Sequence, residues 1–177
     1  FCVYTYLAAT LIEVTHTSDF MIPVVMAVFG VGTTVGNLVC GWAADRATMR
    51  SAGISLGFTP LVLALYPSAT ENLWLLIPLV FFIGCGVGLA AILQTRLMDV
   101  APHAQSLAGA LVQSAFNLAN AIGPWVGGMV ISAGMGLPAT GYAAAVLTLG
   151  GMGMWYWALT DAHTHARRFE SSAASKS

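Results

Sequence analysis

Apolar runs fill most of this chain, and short polar segments divide them at intervals close to the length of a bilayer span. The runs cover residues 1–14, 20–44, 52–66, 73–93, 107–131 and 138–159. Within each run the apolar residues are continuous rather than alternating, so the pattern favours helices over the strands of a membrane barrel. Pro23 falls in the first turn of the second run, where a missing N–H costs nothing. The third run is short and contains Pro60, so a kink or an extension into its flanks is expected. The first run has only about a dozen residues where a span needs roughly 20. It therefore reads as the outer part of a longer helix, and the chain as a fragment whose start lies upstream. The connections are too short for a further domain, which leaves one six-span unit over residues 1–160. Residues 161–177, rich in Ser, Ala and His with mixed charge, are expected to form a disordered cytoplasmic tail.

Two finer patterns lie inside the runs. Small residues recur four apart at Gly32 and Gly36, Gly53 and Gly57, Gly84 and Gly88, and Gly123 and Gly127. In lipid such pairs let helix backbones approach closely, so they predict a tight bundle. Polar residues also recur at helical spacing. Ser106, Gln113, Asn117 and Asn120 project onto one narrow stripe of the fifth helix, with the two asparagines near its centre. Amides at that depth need partners, either on a neighbouring helix or in a watered cavity. Both readings stand at this point. Tyr6, Thr10 and Glu13 make a shorter stripe of the same kind on the first helix. The candidate cavity residues are Tyr6, Thr10, Gln113, Asn117 and Asn120.

Composition confirms the environment. The chain is 58% hydrophobic and 7% charged, with mean hydropathy +0.80, whereas a soluble domain carries about 25% charged residues. The net charge is −1, and no basic patch interleaved with aromatics exists to bind nucleic acid. Cys2, Cys40 and Cys85 lie within apolar runs in no metal-ligand spacing and read as small packing residues. His163 and His165 sit in the tail, and no metal site or cofactor is expected. There is no glycine-rich phosphate loop and no nucleophile elbow. No histidine falls inside a span to pair with a serine, so an enzyme is not expected.

Charge placement then fixes orientation. Arg46 and Arg50 share one polar segment, Arg96 lies in another, and Arg167, Arg168 and Lys176 lie in the tail. The alternate connections at 13–19, 67–72 and 134–138 carry no Lys or Arg. This is the positive-inside distribution, with the basic segments and the C-terminus on the cytoplasmic side. Trp42, Trp74, Trp155 and Trp157 fall near predicted span ends, where the interface favours amphipathic rings. No charged residue lies near the middle of a span, so a central proton carrier would have to come from elsewhere in an intact transporter.

Two segments resemble a known family. Gly41-Trp-Ala-Ala-Asp45-Arg46-Ala-Thr-Met-Arg50 is similar to the loop signature of the major facilitator superfamily, matching it at Gly41, Asp45, Arg46 and Arg50. Ala43 and Thr48 stand where that signature carries Leu and Gly. The stretch from Leu93 through Arg96, Asp99 and Pro102 to Asn117, Asn120 and Gly128 resembles helices ten to eleven of the drug/proton antiporter branch. That branch contains the arabinose-efflux and sugar-efflux permeases. The resemblance implies an all-α fold, a six-helix transmembrane bundle forming the C-terminal half (helices seven to twelve) of a twelve-helix protein. It implies efflux of a small solute by alternating access, coupled to protons, against an N-terminal half not contained in this chain. Its partners would be a small-molecule substrate, protons, the bilayer of the bacterial inner membrane and that missing half. It assigns Gly41, Asp45, Arg46 and Arg50 to a cytoplasmic gate loop, and Gly123, Pro124, Gly127 and Gly128 to a helix bend and packing element. The rival reading is a non-transporting six-span fragment or assembly partner.

Overall fold

The computed structural model describes residues 1–100 and 103–174; at 47–49, 96, 98, 100, 158–159 and 161–174 it describes the backbone alone. Among the described residues the chain is helical with no strand. Helix α1 spans Cys2–Glu13. A helical run over Met21–Ala69 holds two spans, α2 at Met21–Arg46 and α3 at Arg50–Ala69. Helix α4 spans Leu73–Thr95 with a 3-10 turn at Gly86–Gly88. Helix α5 covers Gln105–Val130 and α6 covers Thr140–Ala174. Helices α2, α3, α4 and α5 are long and apolar enough to cross a bilayer, while α1 is a shorter apolar helix.

The corner between α2 and α3 falls within the connection that the sequence reading placed between residues 44 and 52, one span ending at Arg46 and the next beginning at Arg50. Its backbone is assigned as helical turns. The axis does not continue through it: the Ser51 hydroxyl donates to the Ala43 carbonyl at 3.0 Å, eight residues back. Those levels would stand about 12 Å apart in a straight helix. Between Trp42 and Ala52 there is no Gly or Pro, and Ala, Met and Arg favour helix, so the corner is built from helical turns. The side chain of Thr48, where the family signature carries Gly, lies outside the described residues.

Other boundaries follow local chemistry. Asn72 is extended (φ −129) and its side-chain oxygen accepts the Trp74 N–H at 3.1 Å, capping the start of α4. Gly134 and Gly136 hold φ of 82 and 79 in the α5–α6 turn, a region that side chains disfavour. Helix α6 continues to Ala174, so the segment expected to be disordered from residue 161 is helical over most of its length. Its Ala, Arg and Glu residues are good helix formers, and extending an existing helix is far easier than nucleating one. Residues 175–177 of that segment lie outside the described residues.

The main core gathers at the Glu13 end of the bundle. Leu7 and Leu11 of α1, Val25 of α2, Tyr66 of α3, and Leu76 and Val80 of α4 are fully buried there, with Ala144 and Ala145 of α6 beside them. A smaller cluster of Ala44, Ala52 and Ile92 closes the other end, with Trp155 packed against it. Between the two ends, α2 and α4 meet backbone to backbone. A methyl group on Gly32 would collide with the Phe81 carbonyl, and one on Gly36 with the Cys85 carbonyl. From the other side, a methyl on Gly84 would sit 2.5 Å from the Phe29 carbonyl, and one on Gly88 would collide with the Gly36 carbonyl. The small-residue pairs of the two helices interdigitate. Gly53 differs in seating a side chain, the Trp155 ring of α6, and Gly57 faces open space.

This contact generates a contrast. Gly84→Val is expected to destabilise the protein by about 1–3 kcal/mol or more, because backbone cannot yield to the added volume. Gly57→Ala, with nothing within 4 Å of the new methyl, is expected to be neutral or slightly stabilising. Thermal unfolding of both variants in detergent checks this, and equal midpoints would refute the packing account.

Candidate functional site

Helix α5 is attached to the bundle along one narrow line. Among its described side chains, Ala108, Gly123 and Gly127 are buried, while Leu111, Leu118, Ile122 and Trp125 are exposed. The attachment is a groove of small residues that seats Tyr6 of α1. A methyl on Gly127 would lie 2.7 Å from the Tyr6 ring and 2.9 Å from the Cys2 sulfur, and one on Gly128 would lie 3.0 Å from the Tyr6 hydroxyl. That hydroxyl donates to the Pro124 carbonyl at 2.9 Å. The glycines make room for the ring, and the hydrogen bond fixes its depth.

Pro124 also changes the helix one turn earlier. Having no N–H, it cannot supply the helical bond that the Asn120 carbonyl would receive. The Asn120 side-chain oxygen is buried and has no hydrogen-bond partner. Asn120 therefore presents two acceptors that the usual helical arrangement leaves unsatisfied. One turn further back, the Gln113 amide donates to the Asn117 side-chain oxygen at 3.3 Å, and both residues are exposed. Ser106 is exposed as well. The stripe read from spacing is thus an open polar face carrying amide donors and acceptors without formal charge. Such a face can recognise neutral hydroxyl or amide groups through hydrogen bonds.

The structure separates the candidate residues of α1. Tyr6 lands one turn from Asn120 through its bond to Pro124. Thr10 does not join it: it is fully buried, and its hydroxyl donates to the Tyr6 carbonyl at 2.9 Å. Thr10 faces the core, away from the open stripe, so the cavity role read from its spacing has no support here. Cys2 was read as packing, and it packs in the same groove as Tyr6, with its thiol directed at the Thr140 carbonyl at 3.6 Å. The Tyr6–Pro124 bond was missed in the sequence, where the only signal was an aromatic residue on one helix and a Gly-Pro-x-x-Gly-Gly groove on another.

The four signature residues cluster at the opposite end of α2. Asp45 and Arg50 are exposed, and Gly41 has open space beside it. The Arg46 guanidinium lies 3.8 Å over the Trp42 ring, and its Nη1 donates to the Trp42 carbonyl at 3.5 Å. These contacts are local to one helical turn. No helix of this chain is tied to the corner through them.

Known proteins share this arrangement of sequence. The family model described as Major Facilitator Superfamily matches residues 1–176. The inner membrane transport protein YdhP of Escherichia coli K12 is 33% identical over 153 residues, which is 84% of this chain and 39% of that protein. The probable sugar efflux transporter of Pasteurella multocida is 27% identical over 153 residues, 86% of this chain and 38% of its own length. A chloramphenicol resistance protein of Streptomyces lividans is 31% identical over 130 residues, 71% of this chain and 32% of the relative. The chain thus spans 39% or less of each of these relatives. No solved structure is a significant match. With six helices among the described residues, four of them long and apolar enough to cross a bilayer, and a family match over nearly its whole length, the chain belongs to the Major Facilitator Superfamily.

Proposed function

We propose that this chain is the C-terminal six-helix half of an inner-membrane efflux transporter that moves small neutral polar solutes by alternating access. One observation carries the reading: Gln113 and Asn117 stand exposed in the middle of a helix long and apolar enough to span the bilayer. Amides facing lipid would forfeit their hydrogen bonds at a cost of several kcal/mol. The stripe therefore borders water, in a cavity that a second half completes. Beyond their mutual bond, the exposed Gln113 and Asn117 amides offer that cavity donors and acceptors for a hydroxyl or N–H of the solute. Relatives named as a sugar efflux transporter and a chloramphenicol resistance protein fit solutes of this chemistry, since sugars and chloramphenicol both carry hydroxyl groups.

The remaining parts fall into place on this reading. The basic segments orient the Arg46–Arg50 corner and the C-terminus toward the cytoplasm. Gly41, Asp45, Arg46 and Arg50 meet groups of the opposing half at a cytoplasmic gate. No charged residue lies near the middle of a span, so the carboxylate that couples transport to protons belongs to the N-terminal half.

In the full-length transporter, Asn117→Ala should lower the efflux rate roughly 3–10-fold, the worth of one hydrogen bond to the solute, with membrane insertion unchanged. Unchanged transport would reduce Asn117 to a scaffold residue. Collapse of the proton gradient should abolish wild-type efflux, and persistence of uphill efflux would refute proton coupling. Tyr6→Phe removes the bond to Pro124 and should destabilise the protein by about 0.5–1.5 kcal/mol. A thermal midpoint equal to that of the wild type would show that the bond contributes nothing to α1–α5 packing.

A further inference from the structure

A second feature lies apart from the α5 stripe, with no α5 residue among its lining. A cleft of about 390 Å³ opens between α2, α3 and α4. Its rim is apolar and exposed, with Val39 of α2, Ile54 and Phe58 of α3, and Phe82 of α4 among its walls. Phe58 and Phe82 meet edge to face with ring centres 5.9 Å apart. Gly36 and Gly86 are among its lining residues. The Ser51 hydroxyl in its wall is already committed to the Ala43 carbonyl. A polar solute would lose its hydration here and gain little in return, whereas a hydrocarbon would lose nothing.

Charge marks one mouth of the cleft. Ala43 and Ser51 both line it, and the helical corner between them carries Asp45, Arg46 and Arg50, one positive charge in excess. Trp42, largely exposed, holds the Arg46 guanidinium flat over its ring. A guanidinium stacked by its face keeps most of its N–H edge available for an oxyanion. An exposed Trp paired with Arg at the end of a span is the arrangement expected at the level of lipid phosphates.

We infer that the α2–α3–α4 cleft holds an acyl chain of an anionic phospholipid whose phosphate is met by Arg46 and Arg50. The inference rests on the membrane reading above but not on transport, since a transport-dead protein would still bind the lipid. The cleft supplies the apolar contact and the excess positive charge supplies the preference among headgroups. A helix of the opposing half is the competing occupant, and the test excludes it or reveals it.

The probe is phosphatidylglycerol carrying a diazirine on one acyl chain, added to the full-length protein in phosphatidylcholine vesicles. After irradiation, peptides spanning residues 51–58 and 81–86 should be labelled more strongly than the exposed α6 surface around Val146 and Tyr156. Even labelling of all exposed surfaces, or a cleft protected from label, overturns the inference; the second result means that protein fills it. Val39→Trp, which adds volume at the rim, should suppress the cleft label and leave the α6 label unchanged, and retained cleft label refutes the site. Arg50→Gln should weaken the preference for phosphatidylglycerol over the equivalent phosphatidylcholine probe about fivefold, the worth of one basic residue near an anionic lipid. Should either variant fail to insert, the wild-type comparison of the two probes decides, and equal labelling by both refutes an anionic lipid site.

Discussion

In a bilayer, helices gain little by hiding apolar side chains from an apolar solvent, so what holds them together is the closeness with which their backbones can approach. In this chain that constraint is met chiefly at one place. Gly32 and Gly36 of α2 lie against the Phe81 and Cys85 carbonyls of α4, and Gly84 and Gly88 of α4 lie against Phe29 and Gly36 of α2. The remaining architecture hangs from this joint. Helix α3 returns along the pair through the helical corner at Ser51, and α6 locks onto α3 through Trp155 on Gly53 and through Gly141 against Leu63 and Tyr66. The apolar cleft between α2, α3 and α4 lies beside this joint, with Gly36 and Cys85 of the contact in its wall.

Helix α5 obeys the constraint in a different way. Gly123 meets the Cys2 backbone of α1, while Gly127 and Gly128 make a groove for the Tyr6 ring, whose hydroxyl bonds to the Pro124 carbonyl. That narrow attachment leaves the rest of the helix surface uncovered, including the Gln113–Asn117 pair. The proline that supplies the acceptor for Tyr6 also strips the Asn120 carbonyl of its helical donor. One residue thus anchors the helix and opens its polar face. The division of labour is physical: a tight α2–α4 joint gives a stable frame, and α5 keeps the Gln113–Asn117 amide pair on its exposed face.

The sequence carried the frame and the stripe because both depend on periodicity. Continuous apolar runs mark the spans, four-residue spacing marks the glycine faces, and spacings of seven, four and three bring Ser106, Gln113, Asn117 and Asn120 onto one line. What periodicity cannot supply is which way a face points. Thr10 shares the spacing of Tyr6 yet turns into the core, and Gly57 shares the spacing of Gly53 yet meets nothing. At the α2–α3 corner the polar segment marks where one span gives way to the next, while its Ala, Met and Arg residues keep the turn helical. At the tail, polar residues of good helix propensity extend α6 into the segment read as disordered. The Tyr6–Pro124 bond joins residues 118 apart, and no local pattern announces such a pairing.

The charge map ties the two faces of the bundle together. With span interiors empty of charge, the described positive groups concentrate at one corner, where Arg46 lies on Trp42 and Arg50 stands exposed beside Ser51. That corner closes the α2–α3 turn, bounds the apolar cleft, and carries the residues expected to meet the opposing half at the gate. A lipid phosphate and a gate carboxylate would therefore compete for the same guanidinium groups. Because each would have to release the arginines before the other could bind them, headgroup occupancy and gate closure are linked by a shared donor set. Linkage of this kind is reciprocal: an anionic lipid that favours the open corner must itself be bound less tightly when the gate closes.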